Sequence, residues 1–193
     1  MPEVYIIGGC NGSGKTTTAM KLLPNTLNLL EYVNADEIAA GLSPFNPESV
    51  AIRAGRLMLE RLNSLSDAGA DFAFETTLAS RHYVRFLQRC KTKGYAVNLI
   101  YFWLVSPELA IARVKARVAS GGHNIPEATI RRRYERGRKN FSQLYLPLSD
   151  SCIVCNNSGL DIQLVASYNS EASKPIVYQA EIWSSITGDI DES

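Results

Sequence analysis

The chain has 193 residues, 46% of them apolar, and 20 Lys and Arg against 19 Asp and Glu, so its formal charge is +1. That length and core content predict one globular domain, and the near-neutral balance excludes a global field that would recruit nucleic acid or an acidic membrane. No run of 18 apolar residues is present, and the start MPEVYIIGGC lacks a basic segment followed by a long apolar stretch, so the expectation is a cytoplasmic protein with no membrane span.

The first apolar run, Val4 to Gly8, leads into Gly9-Cys10-Asn11-Gly12-Ser13-Gly14-Lys15-Thr16 and then a helical pattern from Lys15 to Leu23. This fits G-x-x-x-x-G-K-[ST] between a strand and a helix, the setting in which such a loop cradles phosphate. Glycines let successive amides turn inward, the helix start adds positive dipole, Lys15 reaches the β and γ phosphates, and the Thr16 hydroxyl can ligate magnesium. The expected nucleotide-binding set is Gly9, Asn11, Gly12, Ser13, Gly14, Lys15, Thr16 and Thr17, with Thr16 as the protein's ligand to Mg2+.

Three further apolar runs follow: Leu30 to Asn34, Phe72 to Phe74 and Val97 to Val105. Strands that are apolar throughout are buried on both faces, as in a parallel sheet. Helical patterns alternate with them at 47–66, 81–93 and 107–119; Pro47 and Pro107 suit first turns, Ser106 an N-cap and Gly94 a C-terminal stop. The alternation predicts an α/β fold of the P-loop NTPase kinase-like kind, a mainly parallel central sheet flanked by helices, with ligands at the carboxyl ends of the strands. Beyond it come a helix over 126–144, a strand at 151–155, and two alternating stretches, 162–168 and 175–183, that suggest a terminal hairpin. One domain over 1–186 with a disordered tail at 187–193 is the expected organisation.

Acids end two of the strands, Asp36 in YVNADE and Glu75 in FAFETT. A carboxylate at that edge can take the proton of an attacking hydroxyl or order the metal and its waters. Asp36 suits the base, although the same residue could cap the helix beginning near Glu37. Glu75 could bind substrate hydroxyls or order magnesium, and Thr77 adds a hydroxyl. The long run VNLIYFWLV ends in Ser106 and Pro107 rather than an aspartate, which argues against a motor ATPase, and no guanine-reading Asn-Lys-x-Asp argues against a GTPase.

Nine of the 20 Lys and Arg fall between Arg113 and Lys139, against Glu127 and Glu135. Arg113 and Arg117 share a helical face, and Gly121-Gly122 leads to a helix carrying Arg131, Arg132, Arg133, Arg136 and Arg138. The expectation is an arginine-rich helical lid that closes over the transferring phosphoryl group, where fixed cations lower the barrier. An exposed basic face or a nucleic-acid groove would read similarly, but only Tyr134 and Phe141 could stack on bases, so nucleic acid is disfavoured. Cys152-Ile-Val-Cys155 has half the spacing of a zinc site, yet there is no second pair, and buried thiols on opposite faces of a strand are the better reading.

Taken in order, GGCNGSGKTT, VNADEIAAGLSPFNPE, the helix with Arg56, FAFETTLAS, SGGHNIPEATIRRRYERG and CNNSG resemble short members of the zeta toxin family of P-loop kinases, over about residues 3 to 160. The resemblance implies that ATP phosphorylates a sugar hydroxyl of UDP-N-acetylglucosamine, with an antitoxin holding the enzyme inactive. By motif it implies Lys15 as the phosphate-loop lysine, Asp36 as the base, Arg117 with Arg113 as the arginines on the transferring phosphate, and Glu75 with Thr77 in the acceptor site. Arg56, His123 and Arg133 complete the expected substrate set; His123 stands near a family arginine, Leu59 beside Glu60 stands at a family glutamate, and the CNNSG loop borders adenine. An ATP-binding regulator and a polynucleotide 5′-hydroxyl kinase are the alternative readings.

Overall fold

The computed structural model describes residues 1–122, 124–172 and 174–188. Seven strands, β1 (Glu3–Gly9), β2 (Tyr32–Val33), β3 (Phe72–Thr76), β4 (Ala96–Trp103), β5 (Ser151–Asn156), β6 (Gln163–Asn169) and β7 (Ile176–Val177), form one sheet in the order β2-β3-β1-β4-β5-β6-β7. The first five run parallel and the last two are antiparallel additions. The register opposes Gly8 to Thr76 on one side and Gly9 to Phe102 on the other, so the phosphate loop, the end of β3 and the end of β4 emerge at one edge. That edge is where ligands gather in open α/β sheets.

Alternate residues of each strand feed different cores, as the two-residue period requires. Ile6, Phe72, Phe74, Leu99, Tyr101 and Cys152 face one core, and Ile7, Ala73, Ile100 and Phe102 the other. The second core is closed by α1 (Lys15–Thr26) through Ala19 and Leu23, four apart on one helical stripe. The first takes α3 (Ala51–Asp67), whose Ala54, Met58, Leu62 and Leu65 are buried at helical spacing, and α4 (His82–Thr92), which buries Phe86, Leu87 and Cys90. Cys152 packs in the first core and Cys155 against the second, so the two thiols lie on opposite faces.

The local signals act as expected at several ends. Ser106 caps α5 (Pro107–Ala119), its hydroxyl accepting from the Leu109 N–H at 3.1 Å, which contributes about 1 kcal/mol. Gly94 follows α4 with φ 83°, and the short α2 (Ala35–Leu42) is capped by Asn34, not by Asp36. Asp36 instead occupies the first turn.

The C-terminal hairpin is only partly formed. β6 matches expectation, but its partner β7 has two residues, and the rest of the stretch is α7 (Ala180–Thr187). The alternation in Ile176–Tyr178 is short, whereas Ile182 and Ile186 are four apart; Ile186 is fully buried and Trp183 meets Phe141 edge to face at 6.4 Å. The expected tail therefore begins inside a helix at Thr187, and residues 189–193 lie outside the described residues.

The arginine-rich helix α6 (Glu127–Asn140) is docked, and the expectation of a hinged lid finds no support in its packing. Ile130, Tyr134 and Gly137 are buried, the Tyr134 phenol donates to the Leu104 carbonyl at 2.7 Å, and the Asn140 amide donates to the Leu78 carbonyl at 2.8 Å. The helix then widens into a π turn at Phe141–Tyr145, which buries both aromatic rings. Among the described residues no helix is long and apolar enough to cross a membrane.

Candidate active site

The phosphate loop needs its glycines for shape as well as freedom. Gly9, Gly12 and Gly14 have φ of 144°, 77° and 87°, which L side chains rarely adopt. A Cβ on Gly9 would stand 2.3 Å from the Phe102 carbonyl, and one on Gly14 would stand 2.5 Å from Asn157 Nδ2. Asn157 also holds the loop from β5, donating from Nδ2 to the Ser13 carbonyl at 2.8 Å. The first amides of α1 have no intrahelical acceptor, and a helix start that follows such a loop is a ready anion site. Cys10 is buried there, and desolvation pushes its thiol up to about 11 against the opposing pull of Lys15 and Arg113. It is therefore a neutral, unreactive thiol at neutral pH.

Lys15 is buried, with Nζ donating to the Cys10 carbonyl at 2.8 Å and 3.5 Å from Glu75 Oε1. Glu75 is the hub beneath the loop. Its Oε2 accepts from the Thr16 hydroxyl at 2.8 Å, the Tyr32 phenol at 2.7 Å and the Asn34 amide at 3.2 Å. Burial first, then the Glu75 charge, hold the Tyr32 phenol well above its usual value, so it remains a donor. Because β3 is the neighbour of β1, the carboxylate at its end falls directly beside the Lys-Thr pair.

Asp36 projects from the first turn of α2 into the same opening, and its carboxylate makes no hydrogen bond or ion pair among the described residues. It lines a cavity of about 480 Å³ together with Asn11, Lys15, Glu75, Thr77, the start of α4 at Arg81, His82 and Tyr83, and three arginines of α6, Arg132, Arg133 and Arg136. Arg133 also reaches the phosphate loop, 3.4 Å from Asn11 Oδ1. Asp36 and Arg133 are shared with a smaller recess of about 130 Å³ walled by Ala39, Pro47, Ala51 and Ile125. A separate groove opens on the other side of the loop between α1 and the 157–162 segment, where Thr17 lies with Gly14, Leu22, Leu160 and Ile162.

The expected residues divide accordingly. Asn11, Lys15, Asp36, Glu75, Thr77 and Arg133 come together around the cavity, while Gly14 and Thr17 line the opposite groove. Arg113 passes over Gly12, and its guanidinium turns to the carbonyls of Ser158 and Gly159, 3.4 Å away, on the side of the second groove. Arg117 is exposed on α5 and does not line the cavity, and Arg56 is exposed on α3 and does not line it either. His123 lies outside the described residues.

Sequence reasoning left out Tyr32, Asn34, Arg81, His82 and Tyr83, and placed Arg132 and Arg136 in a lid over the transferring phosphoryl group without singling either out as a site residue. The spacing of Arg132 and Arg136, four apart on the face that also carries Arg133, was a usable signal. Tyr32 and Asn34 had none, because their common partner is 41 or more positions away in the chain.

The zeta toxin family model matches residues 1–161. The chain belongs to the zeta toxin family. A relative from Haemophilus influenzae, described as an uncharacterized protein, is 33% identical over 126 residues, 65% of this chain and 88% of its own. Among solved structures, the AvrRxo1-ORF1:ORF2 complex with ATP aligns at TM-score 0.78 and 18% identity, covering all of this chain, which spans 66% of that one. The PezAT toxin–antitoxin system of Streptococcus pneumoniae aligns at TM-score 0.71 and 17% identity, over 99% of this chain and 81% of that one. At such identities the two structures establish the P-loop kinase fold of this zeta toxin family member.

Proposed function

We propose that the protein is an ATP- and magnesium-dependent phosphotransferase that moves the γ-phosphate to a hydroxyl of a small anionic acceptor, of the class of UDP-N-acetylglucosamine. The observation that carries the reading is the carboxylate of Asp36, unpaired among the described residues, in the wall of the same cavity as Lys15 and Arg133. Asp36 takes the proton of the acceptor hydroxyl, whose oxygen bonds to the γ-phosphorus as the bond to the β-γ bridging oxygen breaks, and ADP leaves. Lys15 and Arg133 lie where charge spreads over the transferring group. Arg81, Arg132 and Arg136 supply a cationic wall for the acceptor's own negative charge, and the groove beside Thr17 is the place for adenine.

Magnesium fits the donors present: the Thr16 hydroxyl and Glu75 carboxylate are adjacent hard oxygen groups beside the phosphate cradle. When bound, the ion supplies charge neutralisation across the β and γ phosphates. Glu75 is thereby assigned to ordering the metal and its waters rather than to the acceptor. Arg113, on the far side of Gly12, is assigned to the nucleotide's base end.

Both solved complexes cited above contain a second protein or a toxin–antitoxin pair by their names, and an antitoxin protein is proposed as a partner on that ground. The test is incubation with γ-labelled ATP, magnesium and either UDP-N-acetylglucosamine or a bacterial metabolite extract. A labelled small molecule that is absent with Lys15→Ala supports the reading. Label appearing only in inorganic phosphate, or only in a 5′-hydroxyl oligonucleotide, overturns it.

A further inference from the structure

We infer that Asn34 is a positioning residue that ties the Glu75 carboxylate to the backbone of Asp36, so that the acid on the metal side and the base are held in one frame. The inference rests on the phosphotransferase reading above, and adds to it a residue in the wall of the same cavity whose amide is bonded to the groups on either side of it.

Asn34 follows directly on β2 in extended backbone, φ −133° and ψ 121°, and is only 6% exposed. Its Oδ1 accepts from the Asp36 N–H at 2.8 Å. Its Nδ2 donates to Glu75 Oε2 at 3.2 Å and to the Tyr32 phenol oxygen at 3.3 Å, while that phenol donates to the same Glu75 oxygen at 2.7 Å. The orientation of the amide follows from its surroundings: turned over, an oxygen would face a carboxylate and an NH2 would face an N–H.

Two consequences come from this bonding. Three donors, from Thr16, Tyr32 and Asn34, converge on Glu75 Oε2, so Oε1 is the oxygen left toward Lys15 and the phosphate cradle. The bond to the Asp36 N–H fixes the first turn of α2 relative to that same carboxylate, although β2 pairs with β3 at only two positions. Of the side chains that cap helices well, only asparagine presents an acceptor and a donor at this reach. Aspartate keeps the cap and turns a second carboxylate on Glu75, and serine keeps a cap but is too short to bridge.

A capping role alone therefore predicts that Asn34→Asp and Asn34→Ser are near neutral, since the three residues cap comparably. The bridging role predicts impairment by both; Asn34→Asp, which buries a second carboxylate against Glu75, should also lower the melting temperature, whereas Asn34→Ser should change it by only a few degrees. The experiment titrates MgCl2 against a fluorescent ATP analogue bound to the full chain, and measures labelled phosphate transfer in parallel. Groups that orient metal ligands typically change affinity or activity by about 10- to 100-fold, so the magnesium concentration for half-maximal nucleotide binding should rise about tenfold or more in both variants. Tyr32→Phe, which leaves the cap untouched and removes one donor to Glu75, should raise it in the same direction, and serves if the Asn34 variants do not fold. Parent-like magnesium dependence in every folded variant overturns the bridge and leaves the phosphotransferase reading standing. If the parent itself binds no nucleotide with or without magnesium, both fall.

Discussion

Gly137→Ala is a sharp test of how the loop after β3 is held. A Cβ at this position of α6 would lie 2.4 Å from the Thr77 carbonyl oxygen, and the two must separate by roughly 1 Å to reach ordinary contact. Neither side yields easily, because the obstacle is backbone and α6 is tied on either side of Gly137 by the Tyr134–Leu104 and Asn140–Leu78 hydrogen bonds. In an exposed helix the change would stabilise by about 1 kcal/mol, whereas forcing atoms into a packed contact costs about 1–3 kcal/mol or more. Losing the Asn140 bond adds about 1 kcal/mol. The net expectation is a loss of about 1–3 kcal/mol, or a melting temperature lower by about 2–12 °C for a domain of this size. Since Thr77 lines the cavity, a shift of ~1 Å there should also cut transfer on the order of 100-fold. A thermal scan and a steady-state transfer assay read the two effects. A variant as stable as the parent, with unchanged turnover, would show that helix propensity decides this site and that the loop is not clamped.

The cationic wall and the alkaline limit give two further expectations. Arg136→Ala should weaken acceptor binding, raising KM for the anionic acceptor by about 10-fold or more while leaving binding of the fluorescent ATP analogue intact, because bonds to charged groups contribute about 1.5–3 kcal/mol. Burial pushes the Cys10 and Cys155 thiols up to about 11 and the Tyr134 phenol up to about 12, so the folded state holds these protons more tightly than the unfolded chain. Stability from this source is complete below about pH 9 and is lost as pH rises toward 11; urea midpoints at pH 7.5 and 10.5 should differ, and equal midpoints would refute the burial argument.

The phosphate loop and the parallel core were legible because their signals are local: a glycine-lysine-threonine string between an apolar strand and a helix, and strands apolar throughout. The partners of Glu75 were not, since Thr16, Tyr32 and Asn34 meet it only once β2, β3 and β1 lie side by side. Glu75 was legible as an acid ending a strand that could order magnesium or bind substrate hydroxyls, but its place beside the Lys-Thr pair follows only from β3 lying next to β1. Arg113 and Arg117 share a helical face in the sequence, but Arg113 turns to the carbonyls of Ser158 and Gly159, contacts that follow from β5 and cannot be read from i,i+4 spacing. The density of arginines in α6 suggested a flap because charge conceals its buried stripe of Ile130, Tyr134 and Gly137. In the same way, three alternating residues at Ile176–Tyr178 hid a helix whose anchor, Ile186, comes ten positions after the strand begins.

The most direct test of the chemistry is Asp36→Asn, assayed for nucleotide binding and for phosphate transfer on the same preparation. Binding within about twofold of the parent, with transfer reduced by at least about 100-fold, is the expected result for loss of the proton acceptor alone. Transfer at the parent's rate would mean that the hydroxyl is deprotonated elsewhere, and the role assigned to Asp36 would have to be abandoned.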